Sequence, residues 1–208
     1  MKTLSPRLLA GLIALVPALL HASTEVADMP EPSLTPSSLP STSDPAPSPE
    51  LVPRDLPEIH SRIALPKEWT LVPGKLLEGD VLLAAREKIS SESDPWTIGL
   101  SMTIDRAGAK ESGQKASAYA LGLAREARER AGDEASPIVE SQSGPFRDVR
   151  FEFPVAGDEP LLITELLRAN DETGTLVVIL WQTPKVDSQK YQGLREGILS
   201  GIQLDPAL

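Results

Sequence analysis

Thr173-Gly174-Thr175-Leu176-Val177-Val178-Ile179-Leu180-Trp181-Gln182-Thr183-Pro184 is the stretch whose reading decides the fold. From Leu176 to Trp181 every residue is apolar, and the run is bounded by Gly174 and Pro184. It is too short for a core helix and rich in β-branched residues, so it reads as a strand buried on both faces. Such a strand sits in the interior of a sheet, with paired strands on either side and cover above and below. Upstream, Asn170-Asp171-Glu172-Thr173-Gly174 reads as a hairpin loop, which makes Leu161–Asn170 its antiparallel partner. Downstream, Asp187 or Ser188 is expected to cap a closing helix with an apolar stripe of Tyr191, Leu194, Ile198, Leu199 and Ile202.

Farther out the same two periodicities recur. Trp96, Ile98, Leu100, Met102 and Ile104 alternate with Thr97, Gly99, Ser101 and Thr103, a strand with one apolar face. Arg147 to Val155 alternates likewise, with Val149, Phe151 and Phe153 buried and Asp148, Arg150 and Glu152 facing the other way. Ser136 to Ser141 is expected to pair weakly beside it. Val81 to Ile89 is a further strand, followed by the turn cluster Ser90–Pro95. Between Ser112 and Ala131 the period changes to that of a helix with Ser112 as its N-cap, an alanine-rich stripe through Ala116, Ala120 and Ala124, and Gly132 at its end. Ile59 to Leu65 gives the first strand. The expectation is an α+β domain with an antiparallel sheet and Phe151, Phe153, Val178 and Trp181 among its core anchors.

Before this domain the composition differs. Lys2 and Arg7 precede an apolar stretch from Leu8 to Leu20 and the small residues Ala22 and Ser23, the pattern of a signal peptide over residues 1–22. An uncleaved leader would be the chain's one membrane attachment. Ten of the 20 prolines fall between Met29 and Pro66. Residues 23–57 therefore read as a Pro/Ser-rich disordered linker, with a reach of roughly 100 Å when extended. The domain is expected over residues 58–208, in an exported protein, periplasmic or otherwise extracytoplasmic.

Charge and motif content narrow the function. The net charge of −10 offers no footprint for nucleic acid. Cysteine is absent, which removes thiolate metal sites and thiol nucleophiles. His60 is the one histidine outside the leader and reads as a surface residue, so no metal site and no Ser-His-Asp triad is expected. No phosphate-cradling or dinucleotide-binding pattern occurs, and no cofactor is expected. Ser112-Gly113-Gln114-Lys115 has the Ser-x-x-Lys spacing of penicillin-recognising enzymes but lacks their companion elements. Asp158-Glu159 and Asp171-Glu172 lie in successive loops at opposite ends of a sheet and cannot share a cation. Two hypotheses remain open for the polar residues. Glu152 and Glu165, on neighbouring strands, could form the acid pair of a hydrolase, or each could pair with Arg150 and Arg168. Ser101, Thr103, Arg150 and Glu152 could together line a shallow platform for a ligand or a protein partner in the envelope.

Ile63-Ala64-Leu65-Pro66-Lys67-Glu68-Trp69 resembles the opening signature of the PsbP-like superfamily, an apolar strand ending Leu-Pro-x-Gly-Trp, with Glu68 in place of the glycine. The order of elements from Ile59 to Leu204 is also similar to that family, which includes bacterial exported relatives of the DcrB and LpqN type. The resemblance implies an α/β/α sandwich around a central, mostly antiparallel sheet of about six to seven strands. It implies Trp69 as a core anchor and an accessory or binding role without catalysis. It carries no functional residue to this chain. A structural spacer is the third possibility.

Overall fold

A computed structural model describes residues 49–76, 79–85 and 96–208. The leader, the linker as far as residue 48, and the turn expected at Ser90–Pro95 lie outside the described residues. The elements are β1 (Leu51–Leu56), β2 (Ser61–Pro66), β3 (Thr70–Leu76), β4 (Gly79–Ala85), β5 (Gly99–Asp105), α1 (Gly108–Ser112), α2 (Ala116–Ala131), β6 (Val139–Ser143), β7 (Phe146–Val155), β8 (Leu161–Asn170), β9 (Thr175–Pro184) and α3 (Gln192–Ser200). β3 to β9 form one sheet in the order β3-β4-β5-β9-β8-β7-β6, antiparallel throughout. β9, the run read first, is its middle strand.

Both faces of β9 are covered, as its unbroken apolar run requires. Val177, Ile179 and Trp181 pack with Leu100, Met102, Ile104, Leu166 and the α3 residues Leu194, Ile198 and Leu199. Leu176 and Val178 pack on the opposite face with Val149, Phe151, Leu167 and the α2 residues Ala116, Tyr119, Ala120 and Ala124. Burying each of these aliphatic side chains contributes about 1.5–3 kcal/mol. Trp69 is buried and stacks on Trp181, with ring centroids 5.7 Å apart. Phe151 is buried, and Phe153 is partly buried and stacked against it at 5.4 Å. The α+β sandwich with helices on both sheet faces is therefore present.

Several expected boundaries move. Leu51–Leu56, counted in the linker, is a strand that pairs with β2 from Leu51↔Pro66 to Leu56↔Ser61. Leu56 is buried, and Pro53 is tolerated because this ribbon has only two strands. β2 is thus no part of the central sheet. Arg62 and Gln203 exchange backbone hydrogen bonds at 2.8 Å, holding the ribbon beside the chain that leaves α3. Ser112 does not cap α2. It ends the short helix α1, where its hydroxyl donates to the Ala109 carbonyl at 2.8 Å, and Lys115 occupies the N-cap position with no side-chain cap bond. α3 begins at Gln192, with a 3-10 turn at Lys185–Asp187 before it.

The missing cap of α2 comes from the β8–β9 hairpin loop. Asp171 accepts from the Ser117 N–H and from the Ser117 hydroxyl, each at 2.8 Å. A carboxylate there satisfies a free N–H of the first turn and complements the helix dipole. Burial pushes the Asp171 carboxyl up, but the Ser117 bonds and the charges of Lys115 and Arg147 outweigh it and hold it below its ordinary range. Its contribution is therefore present above the ordinary Asp value and is lost as pH falls from that value through the lowered one. Asp171→Ala should cost about 1 kcal/mol in urea denaturation near neutral pH, and a loss that persists undiminished in strong acid would contradict this cap.

Candidate functional site

In an antiparallel sheet, directly paired residues share a face. The register runs Ser101↔Leu180, Leu180↔Glu165 and Glu165↔Phe151, so all four lie on the α2 face. Thr103 pairs with Val178 and lies on the same face. The other set runs Leu100↔Trp181, Trp181↔Thr164 and Thr164↔Glu152, on the α3 face, and Arg150 belongs with it through Leu166. The platform expected from Ser101, Thr103, Arg150 and Glu152 is thus divided by the sheet itself. Ser101 is buried and Thr103 partly buried on one side. Glu152 and Glu165 are separated in the same way, so they cannot act as an acid pair in one cleft.

Arg150 and Glu152 do belong to a cluster, with partners from α3. The Arg150 guanidinium donates to both carboxylate oxygens of Glu196 at 2.6 and 2.7 Å, and reaches Glu152 at 3.4 Å. Arg195 lies 2.7 Å from Glu152 and 3.0 Å from Glu196, and donates to the Thr164 hydroxyl at 3.0 Å. Two guanidiniums and two carboxylates therefore form a neutral ring where α3 crosses β7 and β8. The Arg150 hydrogen bond holds the Glu196 carboxyl below its ordinary range, and the same bond raises Arg150. Arg150, Glu152 and Glu196 remain partly open to solvent, whereas the Arg195 side chain is only 8% exposed. Val139, directly across β6–β7 from Arg150, is 60% exposed.

Glu165 and Arg168, one of the pairings left open, lie on opposite faces of β8. Arg168 pairs with Asp148 at 3.3 Å and donates to the Ile202 carbonyl at 2.9 Å. Burial raises the Asp148 carboxyl against the pull of Arg168. Glu165 has no such ion pair among the described residues: it is 1% exposed, and its Oε2 has no hydrogen bond. His60 is exposed, at a left-handed turn between the first 3-10 turn and β2. A cleft of about 360 Å³ lies at the C-terminal end of α2, lined by Arg125, Arg128, Glu129, Gly132, Asp133 and Ile138, and none of the four expected site residues reaches it.

The fold is similar to that of cyanobacterial PsbP from Synechocystis sp. PCC 6803, with a TM-score of 0.48 at 12% identity over 81% of this chain and 98% of that one. A Bacteroides thetaiotaomicron structure matches over 76% of this chain and 49% of its own, with a TM-score of 0.43 at 11% identity. A Pseudomonas aeruginosa protein of unknown function matches over 71% and 92%, with a TM-score of 0.38 at 9% identity. No family model matches the sequence, and no curated protein matches it either.

Arg195, Glu196 and Thr164 were not among the expected site residues. One signal for Arg195 was present. It stands four residues after Tyr191 and three before Ile198, on the stripe that a helix turns toward its core.

Proposed function

We propose that this chain is an exported, non-enzymatic accessory or binding module of the cell envelope, held on its Pro/Ser-rich linker. The separation of Glu152 from Glu165 by the thickness of the sheet carries this reading, because it removes the one acid pair that the sequence offered for hydrolysis. The leader pattern supports export. The partner-facing surface is the patch formed by Arg150, Glu152, Glu196 and the exposed Val139. A neutral ring with half-exposed members can exchange hydrogen bonds with a protein or small ligand at little desolvation cost, and Val139 adds an apolar contact.

Affinity capture of the exported protein with mass spectrometry tests this reading. A specific envelope partner should be recovered with the wild type and lost with Val139→Asp and with Arg150→Glu, both of which should stay folded because these side chains reach solvent. Recovery of no specific partner, or of the same partner with both variants, would overturn the assignment.

A further inference from the structure

Glu165 sits in the middle of β8, between Phe151 of β7 and Leu180 of β9, on the face that α2 covers. A carboxylate in that position is costly unless it is paired or protonated. The charged groups around it offer little. From α2, Arg130 is the cation that acts on it, but Arg130 is 44% exposed and 3.7 Å from Glu126 on its own helix. Glu126 has a buried Oε2 without a partner, and Tyr119 is held protonated by burial and by Asp105, Glu111 and Glu126, up to about 12. β7 presents Val149, Phe151 and Phe153 on this face, with Arg147 farther along. β9 presents Val178, Leu180 and Gln182, and β5 presents Ser101, Thr103 and, at its end, Asp105. Lys185 and Glu134 hold each other at 2.7 Å.

The lid over Glu165 is also lightly held. The fully buried residues of α2 are Ala116, Tyr119, Ala120 and Ala124, while Leu121, Leu123 and Ala127 pack only partly buried against the same cluster, so no residue of the helix beyond Ala124 is fully buried. Its first turn is clamped by Asp171. Its last turns are tied to the chain beyond by the Arg128 bond to the Ser136 carbonyl, at 2.9 Å.

We propose that Glu165 is a proton-operated latch for α2: with the carboxyl protonated the helix stays seated, and loss of the proton lifts its C-terminal turns from the sheet. The latch stands whether or not the patch around Arg150 binds a partner. Burial, against the weaker pull of Arg130, raises the carboxyl to about 7, whereas an opened helix returns it to the ordinary value of 4.5. The sign follows: the seated state holds the proton more tightly, so opening becomes easier as pH rises between those values and levels off above the upper one.

Amide hydrogen exchange from pH 5 to 8.5, corrected for the intrinsic rate, reads this directly. The opening constant of the amides from Ala124 to Ala131 should rise roughly tenfold per pH unit up to about 7 and then level. The β9 amides should not follow it. Glu165→Gln, neutral at every pH, should abolish the slope. The proposal is overturned if the slope survives in that variant, if it is absent in the wild type, or if β9 shares it, since the opening would then be global. A ¹³C titration of the Glu165 carboxyl in the wild type needs no variant, and a midpoint in the ordinary glutamate range would equally overturn it.

Discussion

Val178→Asp should leave a chain with no cooperative thermal transition. Val178 is 3% exposed in the middle strand, with Thr103 and Leu167 directly across from it and the α2 alanines above. The change forfeits about 1.5–3 kcal/mol of aliphatic burial. It also places a carboxylate among the apolar side chains of Val149, Leu167 and the α2 alanines, at an effective penalty of several kcal/mol. Together these approach the roughly 5–15 kcal/mol that an ordinary domain has in total. Thr103→Asp is the informative control. Thr103 is its cross-strand neighbour on the same face but only partly buried, so its substitution should lower the melting temperature and leave the transition intact. Melting of Val178→Asp at the wild-type temperature would mean that β9 is not the strand on which both layers rest.

The contrast between β9 and the expected platform shows which information a sequence holds locally. Apolar run length placed β9 in the interior, and period-2 alternation gave the inward faces of β5 and β7, because each follows from one strand alone. Which residues of two different strands share a face depends on register and strand order. β5 and β7 are separated by β9 and β8, and each step must be right by one residue for Ser101 to be assigned with Phe151 and not with Arg150. Grouping polar residue with polar residue assumed one solvated face, but helices cover both. Asp171 shows the same limit, since the helix start it caps lies 54 residues earlier in the chain. The Leu51–Leu56 strand was hidden for another reason: Pro53 and Pro57 gave it the composition of the linker, and only the pairing with β2 reveals its apolar side.

The neutral ring makes a sharper test of how charge is held in this fold. Arg195→Met keeps most of the aliphatic stem, so its effect isolates the guanidinium. That group is buried and bonds Glu152, Glu196 and the fully buried Thr164. Its removal leaves Glu152 with the 3.4 Å approach of Arg150 and the Thr164 hydroxyl at 3.3 Å, and withdraws the donor to Thr164. Breaking a buried pair from one side costs about 3–5 kcal/mol, and the partial exposure of Glu152 puts the expected loss at the lower end, about 3 kcal/mol. Arg150→Ala should cost about 1 kcal/mol or less, because both it and Glu196 are open to water. Adding Glu152→Leu to Arg195→Met removes the stranded carboxylate and should restore most of the lost stability, since an apolar replacement of a buried pair is commonly neutral. A double variant as unstable as the single one would shift the cost to Thr164 and to the packing of α3. The charges of the ring would then be dispensable to the fold, and their persistence at a half-exposed surface would have to be explained by what binds there.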